Sequence, residues 1–171
     1  GILLVVLLQL LERGLETSDA IEGALGLPTL AAIPDANTLP GYLKPGLPAP
    51  PAELLLKRPQ STYAEAFRTL RTSIQFAEAA KPIRVVAITS AVPGEAKTPT
   101  PMGLARAMAA AGGKVLLIDA DARRRASSRE FADNVTLGLD EVLAGQATLE
   151  QAIIKDSLSD ACLLPQRLDS K

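Results

Sequence analysis

The chain has no histidine, no tryptophan and a single cysteine, Cys162. Because a serine–histidine–acid triad needs an imidazole, that kind of catalytic site is excluded. The same shortage disfavours a zinc site, since zinc in proteins is held mainly by cysteine and histidine. One cysteine also rules out an internal disulfide and is compatible with a reducing compartment. Any chemistry must therefore come from carboxylates, hydroxyls, lysines and arginines.

Aromatic residues make up only 3% of a chain that is 47% hydrophobic, so its core must be built from leucine, isoleucine, valine and alanine. The net charge of −1 leaves no basic excess, so we expect no nucleic-acid partner. A length of 171 residues allows one α/β domain with a real core plus an appendage.

The chain opens with an apolar run, Gly1–Leu8, which is interrupted at Gln9. A transmembrane helix needs about 20 apolar residues, roughly twice this length. The run also lacks the basic start and the cleavage site of a secretory signal. Two interpretations stay open: a buried strand or helix of the domain, or the end of a transmembrane helix. The absence of a starting methionine favours a cut fragment.

A proline-rich stretch follows. Residues 34–59 hold seven of the thirteen prolines, and proline removes backbone donors and fixes φ. This composition predicts a semi-extended linker. We therefore divide the chain into a membrane-proximal segment at 1–33, the linker at 34–59 and a folded domain at 60–171.

Short periodic segments predict the secondary structure. In the first segment, Asp19 and Glu22 have the spacing of a capping box, which predicts a short helix over 19–25 that ends at Gly26. A second capping box, Thr62 to Glu65, predicts the start of an amphipathic helix. We expect helices over 62–79, 103–112, 138–145 and 149–154, and strands over 84–89, 114–119 and 161–165. The β-branched and leucine-rich strands are typical of a buried parallel sheet. The sequence thus predicts an α/β fold with a parallel sheet flanked by helices.

A phosphate-binding loop lies between the first two strands. Residues 90–98 read Ser-Ala-Val-Pro-Gly-Glu-Ala-Lys-Thr, and Lys97-Thr98 matches the end of the pattern G-x-x-x-x-G-K-[ST]. Ala91 and Ala96 stand at the two glycine positions. In such a loop, backbone N–H groups surround the phosphates, the lysine adds a positive charge, and the hydroxyl ligates Mg²⁺. We therefore predict a P-loop NTPase fold.

Acidic residues follow the second strand. Asp119 and Asp121 come at its carboxyl end, where open α/β sheets bind their ligands. Two carboxylates there can hold Mg²⁺ and orient an attacking hydroxyl or water. The alternative is that they only cap a loop and that residues 123–125 form a solvated basic turn.

Together these motifs resemble a known family. Val85-Val-Ala-Ile-Thr-Ser-Ala-Val-Pro-Gly-Glu-Ala-Lys-Thr98, followed by Val115-Leu-Leu-Ile-Asp-Ala-Asp-Ala-Arg-Arg124, is similar to the bacterial tyrosine kinases. These are the cytoplasmic domains of capsule and exopolysaccharide co-polymerases, related to the MinD/ParA ATPases. The tract Tyr63–Arg71 resembles the Glu-x-x-Arg-x-x-Arg helix that joins their subunits into rings. The opening 1–34 resembles the end of their second transmembrane helix and the segment that follows it.

The resemblance implies an ATP- and Mg²⁺-dependent tyrosine autokinase that regulates polysaccharide polymerisation and export at the cytoplasmic face of the bacterial inner membrane. Its partners would be further copies in a ring and the membrane co-polymerase. The implied nucleotide-binding residues are Pro93, Gly94, Glu95, Ala96, Lys97, Thr98, Pro99 and Arg123. The implied catalytic residues are Lys97, Asp119 and Asp121, and the metal ligands are Thr98, Asp119 and Asp121. Glu65, Arg68 and Arg71 are the implied subunit contacts, although Glu65 and Arg68 also fit an ordinary i,i+3 pair.

Three residues depart from the family pattern. Ala96 stands where the family has glycine, and any positive φ there would be strained. Pro99 lacks a backbone donor and is expected to push Thr98 out of helical geometry. Pro101 removes a further donor. The family's third nucleotide motif and its tyrosine-rich tail are expected beyond residue 171. A second function therefore stays open, a degenerate module that acts by oligomerisation on a membrane co-polymerase, and a third is a fragment without independent function.

Overall fold

The computed structural model describes residues 17–39, 51–77, 82–91, 95–131 and 135–168. The opening run at 1–16, and with it the predicted end of a transmembrane helix, lies outside the described residues. Residues 40–50 of the predicted linker also lie outside the described residues, as do two predicted site residues, Pro93 and Gly94. Within the described parts of the chain, no helix is both long enough and apolar enough to cross a membrane.

The first helix, α1, spans Ser18–Leu25. The hydroxyl of Thr17 accepts a hydrogen bond from the Ala20 N–H and caps its start. The helix and its end at Gly26, which has φ 66°, were predicted. The predicted capping box of Asp19 and Glu22 is wrong, because the Glu22 carboxylate accepts from the Thr29 N–H instead.

The proline-rich stretch contains ordered helix, which differs from the semi-extended linker that we expected. Ala36–Thr38 form a turn of 3₁₀ helix, and helix α2 spans Pro51–Lys57. Pro51 stands at the first helical position, where its missing N–H costs nothing. Leu54 and Leu55 of α2 are buried, so tertiary packing decides the conformation of this segment.

Two longer helices carry the core. Helix α3 spans Thr62–Phe76, and the Ser61 hydroxyl accepts from the Ala64 N–H, so the cap lies one residue before the predicted one. Helix α4 spans Pro99–Ala110 and begins four residues earlier than predicted. The ring of Phe67 on α3 is fully buried and touches Tyr63 edge-on, with centroids 5.1 Å apart. The main core consists of Ala36, Leu54, Leu55, Tyr63, Ala64, Phe67, Ile74, Leu104 and Ala107.

The sheet described has three strands in the order β1-β3-β2. Strand β1 (Leu116–Ile118) runs parallel to β3 (Cys162–Leu164), whereas β2 (Ile154–Lys155) is antiparallel to β3. The sheet is therefore mixed, and the expectation of a purely parallel sheet is corrected. Residues 156–161 join β2 to β3, and a connection this short can join only antiparallel strands. The short helices are α5 (Ala126–Phe131), α6 (Leu139–Leu143) and α7 (Leu149–Ala152).

The predicted strand at 84–89 is not formed. Residues 82–90 pair with no strand of the described chain, and Val85 remains 86% exposed. This segment lies across a groove of about 450 Å³ from the edge of β1, with α4 along one wall. A β-branched run becomes a strand only when a neighbour pairs with it, so its composition alone could not decide the outcome.

A buried ion pair fixes α4 to the turn between β2 and β3. The Arg106 guanidinium donates to both carboxylate oxygens of Asp156, at 2.8 and 3.0 Å. Burial raises the pKa of Asp156, but the hydrogen bonds from Arg106 and Ser159 outweigh it, so this pKa lies below its ordinary value. Breaking such a buried pair by removing one partner costs about 3–5 kcal/mol.

The contact between α3 and α4 depends on a glycine. A Cβ at Gly103 would lie 2.5 Å from the Phe67 ring. We predict that Gly103→Ala lowers the free energy of unfolding by about 1–3 kcal/mol, because the ring must move in a packed core. Gly23→Ala is the matched control, since nothing lies within 4 Å of a Cβ there. Urea denaturation measures both; equal stability of the two variants would contradict the packing described.

Candidate functional site

The site forms where β1 ends. Asp119 follows β1 directly and is only 4% exposed. Its Oδ1 accepts from the Asp121 N–H at 3.1 Å, and its Oδ2 accepts from both the N–H and the hydroxyl of Ser128, at 2.9 and 2.6 Å. The carboxylate is thus held beneath the surface by three donors.

Asp121 is the carboxylate that faces outward. Its Oδ2 lies 2.5 Å from Nζ of Lys97, across 24 residues of sequence. Its Oδ1 accepts from the N–H groups of Arg123 and Arg124, at 3.2 and 3.1 Å. Two residues that the sequence nominated from separate motifs are therefore in direct contact, with 36% of the Lys97 side chain and 26% of the Asp121 side chain exposed.

The contact shifts the protonation of Asp121. The hydrogen bond from Lys97, followed by that from the Arg124 N–H, lowers the pKa of this carboxyl below 3.8. A lowered folded-state pKa adds stability at pH values above the ordinary pKa, and this stability is lost as the pH falls through the lowered one. Both side chains are partly in water, so salt weakens the pair.

The loop before α4 carries a strained residue. Ala96 has φ 54°, in the left-handed region that glycine adopts freely. A residue with a Cβ pays roughly 1–2 kcal/mol there. The strain foreseen for this position is present, and it lies directly beside Lys97.

The two prolines do not disturb the helix. Thr98 keeps helical angles (φ −89°, ψ −53°), so the expectation that Pro99 displaces it is wrong. Pro99 stands at the first helical position, where its fixed φ fits and no intrahelical bond is lost. Pro101 falls within the first turn, whose N–H groups lack intrahelical acceptors in any case. Between the two prolines, the Thr100 N–H donates to the Ala96 carbonyl at 3.0 Å.

The loop's own acid covers one of its backbone donors. The exposed Glu95 carboxylate accepts from the Ala91 N–H at 2.9 Å. This donor belongs to the loop whose N–H groups were predicted to bind phosphate. An incoming anion must compete with Glu95 as well as with Asp121.

The oxygen donors suit a hard cation such as Mg²⁺. The Thr98 hydroxyl makes no capping bond at the start of α4, and Asp121 is accessible. Magnesium is usually bound by one or two protein oxygens with waters and phosphate oxygens completing its shell, so this pair fits it. Asp119, the third predicted ligand, has both oxygens engaged by protein donors. The described residues contain no group of three or more His, Cys, Asp or Glu side chains placed to bind a metal.

The predicted subunit contacts are engaged within the chain. Glu65 and Arg68 form an i,i+3 ion pair at 2.5 Å, and Arg68 also donates to the Pro59 carbonyl. Arg71 turns toward α4 and makes a long 3.5 Å bond to the Ala107 carbonyl. Their role in oligomerisation stays a prediction.

Two residues of the site were missed. Ser128 and Gln166 are both buried and both bond to Asp119. A serine shortly after an acidic strand end was a weak signal for Ser128. Gln166 lies 47 residues from Asp119, and no local pattern connects the two.

A family model described as "AAA domain" matches residues 83–170, just over half of the chain. The match spans the loop, the acidic strand end and β3. The chain belongs to this AAA domain family. Its fold is that of a P-loop NTPase with a mixed sheet and flanking helices.

The likeness of this AAA domain to bacterial tyrosine kinases is confirmed by named relatives. Tyrosine-protein kinase YwqD of Bacillus subtilis (strain 168) is 42% identical over 100 residues, which cover 58% of this chain and 42% of the relative. Tyrosine-protein kinase ptk of Acinetobacter johnsonii is 30% identical over 158 residues, covering 90% of this chain and 21% of the relative. The chain thus spans less than half the length of these curated relatives.

Solved structures agree. The kinase domain of Escherichia coli tyrosine kinase ETK superimposes with a TM-score of 0.74 at 31% identity, covering 88% of this chain and 59% of that one. The BceF tyrosine kinase domain gives a TM-score of 0.73 at 33% identity, covering 91% of this chain and 64% of that one.

The Lys97–Asp121 contact can be tested by titration. We predict that Lys97→Ala raises the pKa of Asp121 toward 3.8, because the largest cause of its lowering is removed. Carbon-detected NMR of the aspartate carboxyls measures this directly. Lys114→Ala, which removes an exposed lysine at the far end of β1, is the control and leaves the Asp121 pKa unchanged. An unchanged value in Lys97→Ala would show that the contact does not persist in solution.

Proposed function

We propose that this domain binds Mg-ATP and serves as the ATP-binding part of a protein-tyrosine kinase that regulates capsular or exopolysaccharide polymerisation and export. The observation that carries the proposal is the contact between Lys97 and Asp121, which joins the phosphate loop to the acidic strand end. The names of the relatives support the type of reaction.

The residues would divide the work by position. Lys97 would leave the Asp121 carboxylate, bind the β- and γ-phosphates instead and neutralise part of their negative charge. Thr98 and Asp121 hold Mg²⁺, and the loop around Glu95 and Ala96 supplies backbone donors, with Arg123 at the rim. When bound there, Mg²⁺ would supply positive charge that offsets the charge of the phosphates. Phosphoryl transfer depends mostly on such positioning and electrostatic stabilisation.

The geometry changes the role proposed for Asp119. We predicted that it helps to hold Mg²⁺ and to orient an attacking hydroxyl or water, but its carboxylate is buried and faces three protein donors. We propose that it instead holds Asp121 in place. Tyr63 is only 3% exposed, so the phosphorylated tyrosine belongs to another segment or another chain.

The wider setting is also proposed. We propose that the domain acts with a membrane polysaccharide co-polymerase at the cytoplasmic face of the inner membrane, in a homo-oligomeric ring that uses Glu65, Arg68 and Arg71. The division into a membrane-proximal segment at 1–33, a connecting segment at 34–59 and a nucleotide-binding domain at 60–171 belongs to the same proposal.

A second function, a non-catalytic oligomerising module, is favoured by two features. The strain at Ala96 and the cover of the Ala91 N–H by Glu95 both oppose a bound phosphate. In that case nucleotide binds weakly or not at all.

Calorimetry decides between them. We predict that Mg-ATP at millimolar concentration gives a saturable heat with the full chain, and that Lys97→Ala weakens binding at least about tenfold by removing a charge-assisted contact. Lys114→Ala is the matched control and binds like the original. No heat beyond dilution in the original chain would favour the non-catalytic module.

The departures from the loop pattern can be separated. We predict that Ala96→Gly raises the free energy of unfolding by about 1 kcal/mol, because the left-handed strain is relieved. We also expect tighter Mg-ATP binding, since no Cβ then crowds the phosphate. Pro99→Thr is the matched comparison and leaves stability and affinity nearly unchanged, because Pro99 fits the helix start. If Pro99→Thr alone restores binding, our account of the loop is wrong.

A further inference from the structure

Ser128 is a buried serine with three polar contacts. It is fully buried in α5, near the helix start. Its hydroxyl donates to Asp119 Oδ2 at 2.6 Å and accepts from the Gln166 N–H at 2.8 Å. Its own N–H donates to the same Oδ2 at 2.9 Å. A hydroxyl that both donates and accepts has a fixed direction, so its hydrogen is committed to the carboxylate.

Gln166 holds the other end of this arrangement. It is 2% exposed, and its Nε2 donates to the Asp119 carbonyl at 3.0 Å. The strand bond from the Asp119 N–H to the Leu164 carbonyl, at 3.0 Å, comes just before it. The segment after β3 is thus bonded to Asp119 through backbone and side chain.

The backbone around Gln166 has little room to shift. The Leu139 N–H donates to the Pro165 carbonyl at 2.7 Å. A Cβ at Gly138 would lie 2.6 Å from that same carbonyl oxygen, so only glycine lets α6 approach this closely. The segment after β3 is therefore clamped between α6 and the end of β1.

These contacts form one continuous path. It runs from Gln166 to Ser128, from Ser128 to the Asp119 carboxylate, and from that carboxylate to the Asp121 N–H. Asp121 in turn contacts Lys97. Every step from Gln166 to Asp119 is buried, where a misplaced donor has no water to replace it.

We propose that Ser128 and Gln166 are positioning residues of the nucleotide site, which fix the Asp119 carboxylate so that it orients Asp121 toward Lys97 and Mg²⁺. The part that concerns Mg²⁺ rests on the proposed function. Neither residue touches the nucleotide or the metal. They would affect nucleotide binding only through the loop 119–121. Because Asp121 in this loop is the proposed Mg²⁺ ligand, the effect should be seen only when the metal is present.

The test compares nucleotide affinity with and without metal. Outer-shell partners of metal ligands typically change metal affinity about 10–100-fold. We expect Ser128→Ala to reduce the gain in ADP affinity that Mg²⁺ provides by about tenfold, while ADP affinity in EDTA changes less than about twofold. Ser127→Ala removes the neighbouring buried hydroxyl, which is not a donor to Asp119, and leaves both affinities unchanged. Ser128→Thr, which keeps the hydroxyl, restores most of the gain.

Two results would overturn the proposal. If Ser128→Ala and Ser127→Ala have the same affinities, the hydroxyl positions nothing. If Ser128→Ala weakens binding equally in EDTA, its role is only structural. Gln166→Met keeps the side-chain volume and removes the donor, so it provides a second variant if Ser128→Ala does not fold; a smaller loss in the same direction is expected.

A ligand-free measurement separates this proposal from the proposed function. The Asp121 N–H donates to Asp119 Oδ1, so its hydrogen exchange reports how firmly the carboxylate is held. We expect exchange about tenfold faster in Ser128→Ala than in Ser127→Ala at matched global stability, a factor that corresponds to about 1.4 kcal/mol. If the original chain binds no nucleotide, the proposed function fails and this arm alone decides. Equal exchange in the two variants would then end the positioning proposal.

Discussion

A buried carboxylate with three hydrogen-bond donors holds the functional end of this domain together. Burying a carboxyl group is costly unless hydrogen bonds replace those to water, and Asp119 accepts three, from the N–H and the hydroxyl of Ser128 and from the Asp121 N–H. The donors come from α5 and from the loop after β1, and Gln166 adds the segment after β3. Asp119, which we predicted to be a metal ligand, therefore joins parts of the fold to one another. Asp121, two residues further along the chain, is the carboxylate that a ligand can reach.

Two carboxylates of the chain are bonded to groups that we predicted to bind phosphate. Asp121 is paired with Lys97, and Glu95 with the Ala91 N–H. Both contacts are partly in water, where they contribute little, so a polyphosphate with several charges can displace the two carboxylates. A cation bound by Asp121 would compete with Lys97 for the same oxygen and release the lysine toward the phosphates. Metal and nucleotide would then favour each other through one carboxylate.

The sequence predicted the parts of the site that local chemistry determines. Lys97, Asp119 and Asp121 stand at a helix start and a strand end, where short patterns are informative, and the structure brings Lys97 to Asp121. Long-range contacts were out of reach: Gln166 meets Asp119 across 47 residues. The run at 84–89 has strand composition but no described partner, and α2 is ordered by leucines that pack on a distant helix. The antiparallel strand β2 was not predicted, because a strand of two residues is too short to show an alternating pattern of apolar residues.

The departures from the phosphate-loop pattern are unequal once their backbone angles are known. Pro99 and Pro101 looked damaging because each lacks a donor, yet both fall in the first turn of α4, where φ suits proline and Thr98 stays helical. Ala96 differs from glycine by a single methyl group, but it sits at φ 54°, where the strain that we expected is present. A cost of roughly 1–2 kcal/mol there is comparable to a tenfold change in affinity if the strain grows when phosphate binds. Of these three departures only Ala96 supports a degenerate loop, and its backbone already has the conformation that glycine adopts freely.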